Sequence, residues 1–284
     1  MLKRILLPLD GSELSEVAIP LAETVARAQG AEVTLIRVVP PDTSLLSQTE
    51  GEGYVPPESY DEIMQVMRDE AASYLAGIAD RLQADGVTVK AEWRDGSPGS
   101  TLLEAEEDLR PDLVVMATHG HTGLIRSTLG GIADRMVREG ITPVLLARSF
   151  THTATQLETA LVPLDGSNVA EAALPLVEHL AGKPLRSVQL LRAIAKRDEE
   201  SRALSYLQGI ASRLSPLGIQ VTNTVVHDKP TDAIAEAAQR VDLVMISTHG
   251  RSGFDRLRHG SIAEGATRTL ATPTLLVRAG AAAL

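Results

Sequence analysis

Four stretches of this chain occur twice, in the same order, and that duplication limits the possible folds more than any other feature. ILLPLDGS at 5–12 returns as ALVPLDGS at 160–167, an offset of 155. YLAGIADRL at 74–82 returns as YLQGIASRL at 206–214, an offset of 132, so the first copy carries 23 additional residues between these landmarks. DLVVMATHGHTG at 112–123 then matches DLVMISTHGRSG at 242–253, and GGIADRMVREGITPVLLAR at 130–148 matches GSIAEGATRTLATPTLLVR at 260–278, both at an offset of 130. A unit this long predicts a globular domain, because solenoid repeats run to only roughly 20–50 residues.

The 284 residues suffice for two domains of about 140, each able to bury its own core. Their boundaries read as 1–150 and 158–281, with a linker at 151–157 inside the polar, Thr-rich SFTHTATQLE. Aromatic residues are only 2% of the chain, so both cores must be built from Leu, Val, Ile and Ala. The absence of cysteine excludes disulfides, thiolate metal sites and cysteine nucleophiles, and suits a reducing cytoplasm. MLKRILLPLDGS is too short an apolar run for an export signal, and no run of about 18 apolar residues could span a membrane. A net charge of −10 leaves no general basic surface for nucleic acid, so any anion site must be local.

Within copy one, KRILLPL, VTLIRVV, VTVKAEW, DLVVMAT and PVLLA are short apolar, β-branched runs bounded by turn residues, as in strands covered on both faces. Helical patterns lie between them. One starts after a candidate N-cap at Ser12 and carries Val17, Leu21 and Val25; another runs from about 61 to 84. The alternation predicts an α/β fold: two tandem, doubly wound, parallel five-stranded sheets of Rossmann-like type. The additional segment of copy one, PPDTSLLSQTEGEGYVPPES, reads as a mobile loop, part of which could cover a ligand. Glu70, Asp80 and Glu106 read as exposed helix faces.

Parallel sheets bind ligands beyond the C-terminal ends of their strands. Asp10 and Asp165 fall there after the first strand of each copy, and ATHG and STHG after the fourth. Gly130-Gly131 and Gly260-Ser261 open the last helical pattern, whose N-terminal amides and dipole suit phosphate; Ser261 with Glu264 also reads as a capping box that needs no ligand. Neither a P-loop nor a Gly-x-Gly-x-x-Gly turn after a strand is present. His119, His121, His249 and His259 lack zinc-site spacing and read as loop histidines near phosphate, while Arg126, Arg256 and Arg258 could reach phosphate oxygens or simply be solvated. Asp10, Ser12 and His119 lack the nucleophile elbow of a hydrolase triad.

LLPLDGS opening a strand–helix unit, then (A/S)THG(H/R)(T/S)G, the glycine pair and a Pro-led final strand together resemble the universal stress protein family over nearly the whole chain, in two copies. The resemblance implies the adenine-nucleotide alpha hydrolase-like fold and an ATP site. ATP-binding members of that family carry Gly, two residues, Gly, nine residues, then Gly followed by Ser or Thr. Copy one has Ala117, Gly120, Gly130 and Gly131 in this register, and copy two has Ser247, Gly250, Gly260 and Ser261. The same carry-over sets Asp10 and Asp165 against the ribose or a phosphate-bound Mg²⁺, Val38 and Ala193 against adenine, and Met116 and Ile246 beside the purine. Pro8, His119 and Ile132, with Pro163, His249 and Ile262, complete the two candidate sets.

The function implied is a cytoplasmic, ATP- and Mg²⁺-loaded stress sensor or scaffold; the residues alone support only a phosphate-binding α/β pair. The final strands, PVLLAR and PTLLVR, are expected to join the copies as an internal pseudo-dimer, and a homodimer of whole chains is a further expectation. One alternative is a slow ATPase or a phosphoryl or adenylyl transferase, and another is an interaction protein without nucleotide, which the departures at Ala117, Ser247 and Gly131 would suit.

Overall fold

A computed structural model describes residues 1–41, 57–119, 129–148, 156–248, 265 and 270–280. Copy one runs β1 (Arg4–Pro8), α1 (Glu13–Glu16), α2 (Ile19–Gln29), β2 (Glu32–Val39), α3 (Pro57–Ala84), β3 (Thr88–Asp95), α4 (Pro98–Leu109), β4 (Leu113–Ala117), α5 (Gly131–Glu139) and β5 (Val144–Ala147). Copy two, as far as its residues are described, follows the same order with β6 (Thr159–Pro163), α6 (Asn168–Glu171), α7 (Leu174–Leu180), β7 (Ser187–Ala193), α8 (Glu200–Leu214), β8 (Gln220–Val226), α9 (Pro230–Ala238), β9 (Leu243–Thr248) and β10 (Thr274–Arg278).

Each copy forms five strands in the order 3-2-1-4-5, and the two sets join into one ten-stranded sheet, β3-β2-β1-β4-β5-β10-β9-β6-β7-β8. Neighbouring strands are parallel except at the seam, where β5 and β10 pair antiparallel with Leu145 opposite Leu275. The first strand of each copy is anchored from the fourth in the same way. Asp112 accepts from the amides of Lys3 and Arg4 at 2.6 and 2.9 Å, and Asp242 from those of Glu158 and Thr159 at 3.1 and 2.9 Å.

Alternation along the strands sends apolar groups to both faces: Ile5 and Leu7 join α2, α3 and α7 on one side, while Leu6 joins α4, α5 and α9 on the other. Each face holds a core that crosses the seam, since Leu145 shares a cluster with Leu275, and Leu146 with Leu276. Polar contacts cross it too. The Gln29 amide donates to the carbonyls of His179 (3.0 Å) and Lys183, and accepts from the Leu2 amide at 3.3 Å.

The helix expected after Ser12 is split in two. Ser12 does cap it, its hydroxyl accepting from the Ser15 amide at 3.2 Å, but α1 stops at Glu16 and α2 starts at Ile19. Pro20 has no N–H for the Glu16 carbonyl, so the ladder cannot continue. Pro175 splits α6 from α7 in the same way. Helix α3 begins at Pro57, inside the segment read as loop, and residues 42–56 of that segment lie outside the described residues. Glu106 corrects the sequence reading outright. It is 2% exposed, and its carboxylate accepts from the amides of Ile141 (2.8 Å) and Thr142 just beyond α5. Among the described residues no helix is long and apolar enough to cross a membrane.

Candidate functional site

In copy one the sheet winds outward in both directions from the β1/β4 pair, and the connections after these strands diverge to opposite faces. That divergence leaves a crevice at the strands' C-terminal edge. A cleft of about 570 Å³ occupies it, walled by the ends of β1, β2 and β4, by α3 and α4, and by the first turn of α5.

The β1 side is built around a tight turn. Asp10 Oδ1 accepts from the Ser12 amide at 3.0 Å and the Ser12 hydroxyl at 2.6 Å. Gly11 sits at φ +87°, and a Cβ there would come 3.1 Å from the guanidinium carbon of Arg37. Arg37 lies over the Tyr74 ring at 5.3 Å and faces Glu70 at 3.9 Å, while the Tyr74 hydroxyl donates to Glu16 at 3.0 Å. Ser12 is thus held between Asp10, to which its hydroxyl donates, and the start of α1, which it caps.

The same assembly recurs in copy two. Asp165 accepts from the Ser167 amide at 2.9 Å, Gly166 has φ +87°, Arg192 lies 5.1 Å over Tyr206, and the Tyr206 hydroxyl donates to Glu171 at 2.8 Å. Burial works to raise the Asp165 carboxyl, but hydrogen bonds from Ser167 and the charge of Arg192 outweigh it and hold the group below the ordinary carboxylate range.

The opposite wall of the cleft is the start of α5. Gly130 is its N-cap and donates its amide to the Thr118 carbonyl at 2.8 Å; a Cβ on Gly130 would come 2.8 Å from that same oxygen, so only glycine fits without displacement. The first intrahelical bond joins the Asp134 amide to the Gly130 carbonyl at 2.9 Å. The amides of Gly131, Ile132 and Ala133 precede it and belong to the helix's positive end, and all three residues line the cleft.

Between these walls the lining is apolar. Val38, Met67, Pro98, Leu102 and Met116 form a slot, with Pro8 at its β1 side. Ala117 is 7% exposed and lies within β4, and among the described non-glycine residues only Arg110 has positive φ, so replacing the family's first glycine by Ala117 or by Ser247 in β9 strains no backbone. His119 is 6% exposed, with Nδ1 3.2 Å from Thr118 Oγ1.

The cleft brings together Pro8, Asp10, Val38, Met116, Ala117, His119, Gly130, Gly131 and Ile132, while Gly120, His121 and Arg126 lie outside the described residues. In copy two, Pro163, Asp165, Ala193, Ile246 and Ser247 are described. Ile246 is buried, Ala193 packs on the same core, and the Ser247 hydroxyl donates to the Val169 carbonyl. His249, Gly250, Arg256, Arg258, His259, Gly260, Ser261, Ile262 and Glu264 lie outside the described residues. Sequence reasoning missed Arg37, Met67, Glu70, Pro98 and Leu102 as lining residues, while Thr118 falls in the ATHG segment it placed at this edge. Arg37 was discoverable, because Arg192, Tyr206 and Glu171 repeat Arg37, Tyr74 and Glu16 at the offsets of the duplication.

The model of the universal stress protein family matches residues 1–148 and again 157–278. The chain belongs to that family. A universal stress protein of Methanocaldococcus jannaschii is 33% identical over 146 residues, covering 51% of this chain and 82% of that protein. One from Mycobacterium tuberculosis is 25% identical over 292 residues and covers 95% of both chains, so this match spans both copies. The crystal structure of a universal stress protein from Archaeoglobus fulgidus superposes with a TM-score of 0.76 at 18% identity, over 98% of each chain, which establishes a shared fold.

Proposed function

We propose that the copy-one crevice binds an adenine nucleotide, ATP in the first instance, and that the protein works as a nucleotide-loaded sensor or scaffold of the stress response. The observation that carries this reading is the Gly130 cradle. A Cβ there would strike the Thr118 carbonyl, and Gly131, Ile132 and Ala133, the first residues of α5, line the cleft. Such a helix terminus favours phosphate, and about 570 Å³ falls within the range of small-ligand pockets.

The remaining residues divide the work by chemistry. The slot of Val38, Met67, Leu102 and Met116 takes the purine face, as apolar groups around a flat ring do. Asp10, already oriented by Ser12, offers its carboxylate to ribose hydroxyls or to a phosphate-bound Mg²⁺. When bound, Mg²⁺ supplies charge neutralisation of the phosphates. Copy two carries the corresponding turn at Asp165 and is proposed as a second site. The domain limits 1–150 and 158–281, a cytoplasmic setting and a homodimer belong to the same reading.

Release and identification of any small molecule that co-purifies, followed by calorimetric titration of ATP with Mg²⁺ into stripped protein, tests it. Binding by wild type and loss in Gly130→Val, whose added side chain displaces the Thr118 carbonyl, measured where the variant is still folded, is the expected result. Absence of bound nucleotide and of heat at millimolar ATP overturns the proposal.

A further inference from the structure

The nucleotide-facing helix of copy one is short and is held at its far end by copy two. Helix α5 has nine residues, too few to persist without tertiary support. At its C-terminal end the chain divides the satisfaction of the backbone between the copies. Glu106, from copy one, accepts from the amides of Ile141 and Thr142. The carbonyls of Glu139 and Gly140, by contrast, accept from the guanidinium of Arg278 at 3.4 and 2.9 Å, and Arg278 is the last residue of β10, across the seam.

The arrangement is reciprocal. Arg148, 9% exposed and one residue past β5, donates to the carbonyl of Leu270. Arg148 and Arg278 are the same position of the repeat, and so are Gly140 and Leu270, each pair at the offset of 130. Each copy therefore sends one arginine to the same backbone position of the other. A cation at a helix C-terminus both accommodates its terminal carbonyls and complements its dipole.

Resting on the nucleotide reading above, we propose that Arg278 is a positioning residue for the copy-one phosphate cradle, supplied in trans by the second copy. It does not touch the cleft. It fixes the axis and end-point of α5, and the other end of that same short helix presents Gly131, Ile132 and Ala133 to the ligand. Copy one then binds phosphate with full strength only while β10 is seated beside β5, and the seam becomes part of the site.

The test uses the full chain in three forms: wild type, Arg278→Met, which keeps an apolar stem and removes the donors, and Arg278→Lys, which keeps a charged donor. ATP and adenosine are titrated into each, and amide hydrogen exchange is followed in residues 131–139 and, as reference, in α4. Arg278→Met is expected to weaken ATP about fivefold or more, the lower end of ordinary coupling between sites, to leave adenosine within about twofold, and to speed exchange in 131–139 but not in α4. Arg278→Lys is expected to restore most of the ATP affinity. Equal weakening of ATP and adenosine overturns the proposal, because a general loosening of the fold moves both; so does unchanged ATP affinity with unchanged exchange. Wild type that binds neither ligand sinks the nucleotide reading instead, and exchange in 131–139 then decides separately whether Arg278 holds the helix.

Discussion

Gly131→Ser is the substitution in which geometry and chemistry make the sharpest demand. Gly131 is the first residue of α5, just after the Gly130 cap, and a Cβ added there meets no atom within 4 Å. The position is helical and outside the positive-φ set, so serine enters without strain. The family resemblance implies a hydroxyl at this register, and copy one has glycine there. A hydroxyl donating to a charged phosphate contributes about 1.5–3 kcal/mol, and fixing the serine rotamer offsets about 0.5–1 kcal/mol of that. The remaining 1–2 kcal/mol, on that estimate, corresponds to roughly 5–30-fold tighter ATP binding. Adenosine, which lacks the phosphates, should bind as before, and thermal stability should rise slightly because glycine is a poor helix residue. Paired calorimetric titrations of ATP and adenosine into wild type and variant measure this. If ATP affinity stays the same or falls while the variant remains fully folded, the hydroxyl does not face phosphate and the assignment of the α5 terminus is wrong.

Three further outcomes follow from the packing. Asn223 Oδ1, in β8, is buried without a hydrogen-bond partner among the described residues, and copy one places Ala91 at that position of the repeat; Asn223→Ala should stabilise the protein by about 1–2 kcal/mol in urea unfolding, and a loss of stability would mean the amide is satisfied in solution. Glu106→Ala strips two backbone amides of a buried acceptor and should cost about 2–3 kcal/mol, whereas a surface glutamate, as the sequence pattern suggested, would cost almost nothing. Burial, and then the hydrogen bonds to Glu16 and Glu171, hold the phenols of Tyr74 and Tyr206 above the ordinary tyrosine range. A raised value means that their contribution is complete below about pH 10, the unfolded value, and is lost as pH climbs through the folded value. Denaturant midpoints taken at intervals from about pH 8 to about pH 11 should fall less steeply in Tyr74→Phe/Tyr206→Phe, and identical slopes would refute the linkage.

Much of the architecture was legible because the sequence repeats. The five apolar runs of copy one, each bounded by turn residues, became its five strands, the repeat carried the same five to copy two, and the final strands PVLLAR and PTLLVR supplied the seam. The breaks at Pro20 and Pro175 were legible in principle, since each removes the one N–H its helix needs there. Glu106 was not. Its partners, Ile141 and Thr142, lie 35 and 36 residues away, and no local pattern distinguishes a carboxylate aimed at distant amides from one aimed at water. At the candidate site, residues in motifs, such as Asp10 and Gly130, were found from their neighbours in sequence. Residues that reach the cleft only because helices pack beside it, such as Met67 and Leu102, carry no such mark. Arg37 lies between these cases: a lone arginine in a strand is mute, but the same arginine at the same place in both copies is a signal.

The antiparallel seam also sets an order of events during synthesis. The strands of copy one are made before those of copy two, yet the outer edge of β5, with Val144, Leu145 and Leu146 buried in the finished protein, is paired by β10, the final strand among the described residues. At ordinary elongation rates of about 5–20 residues per second, that edge waits on the order of ten seconds for its complement. During this interval the nascent half-protein displays an unpaired apolar strand suited to the corresponding strand of a neighbouring nascent chain on the same messenger. Exchange of halves between sister chains is therefore the misassembly this seam predicts, and slower translation through the second copy should raise the share of dimer seen by size-exclusion chromatography.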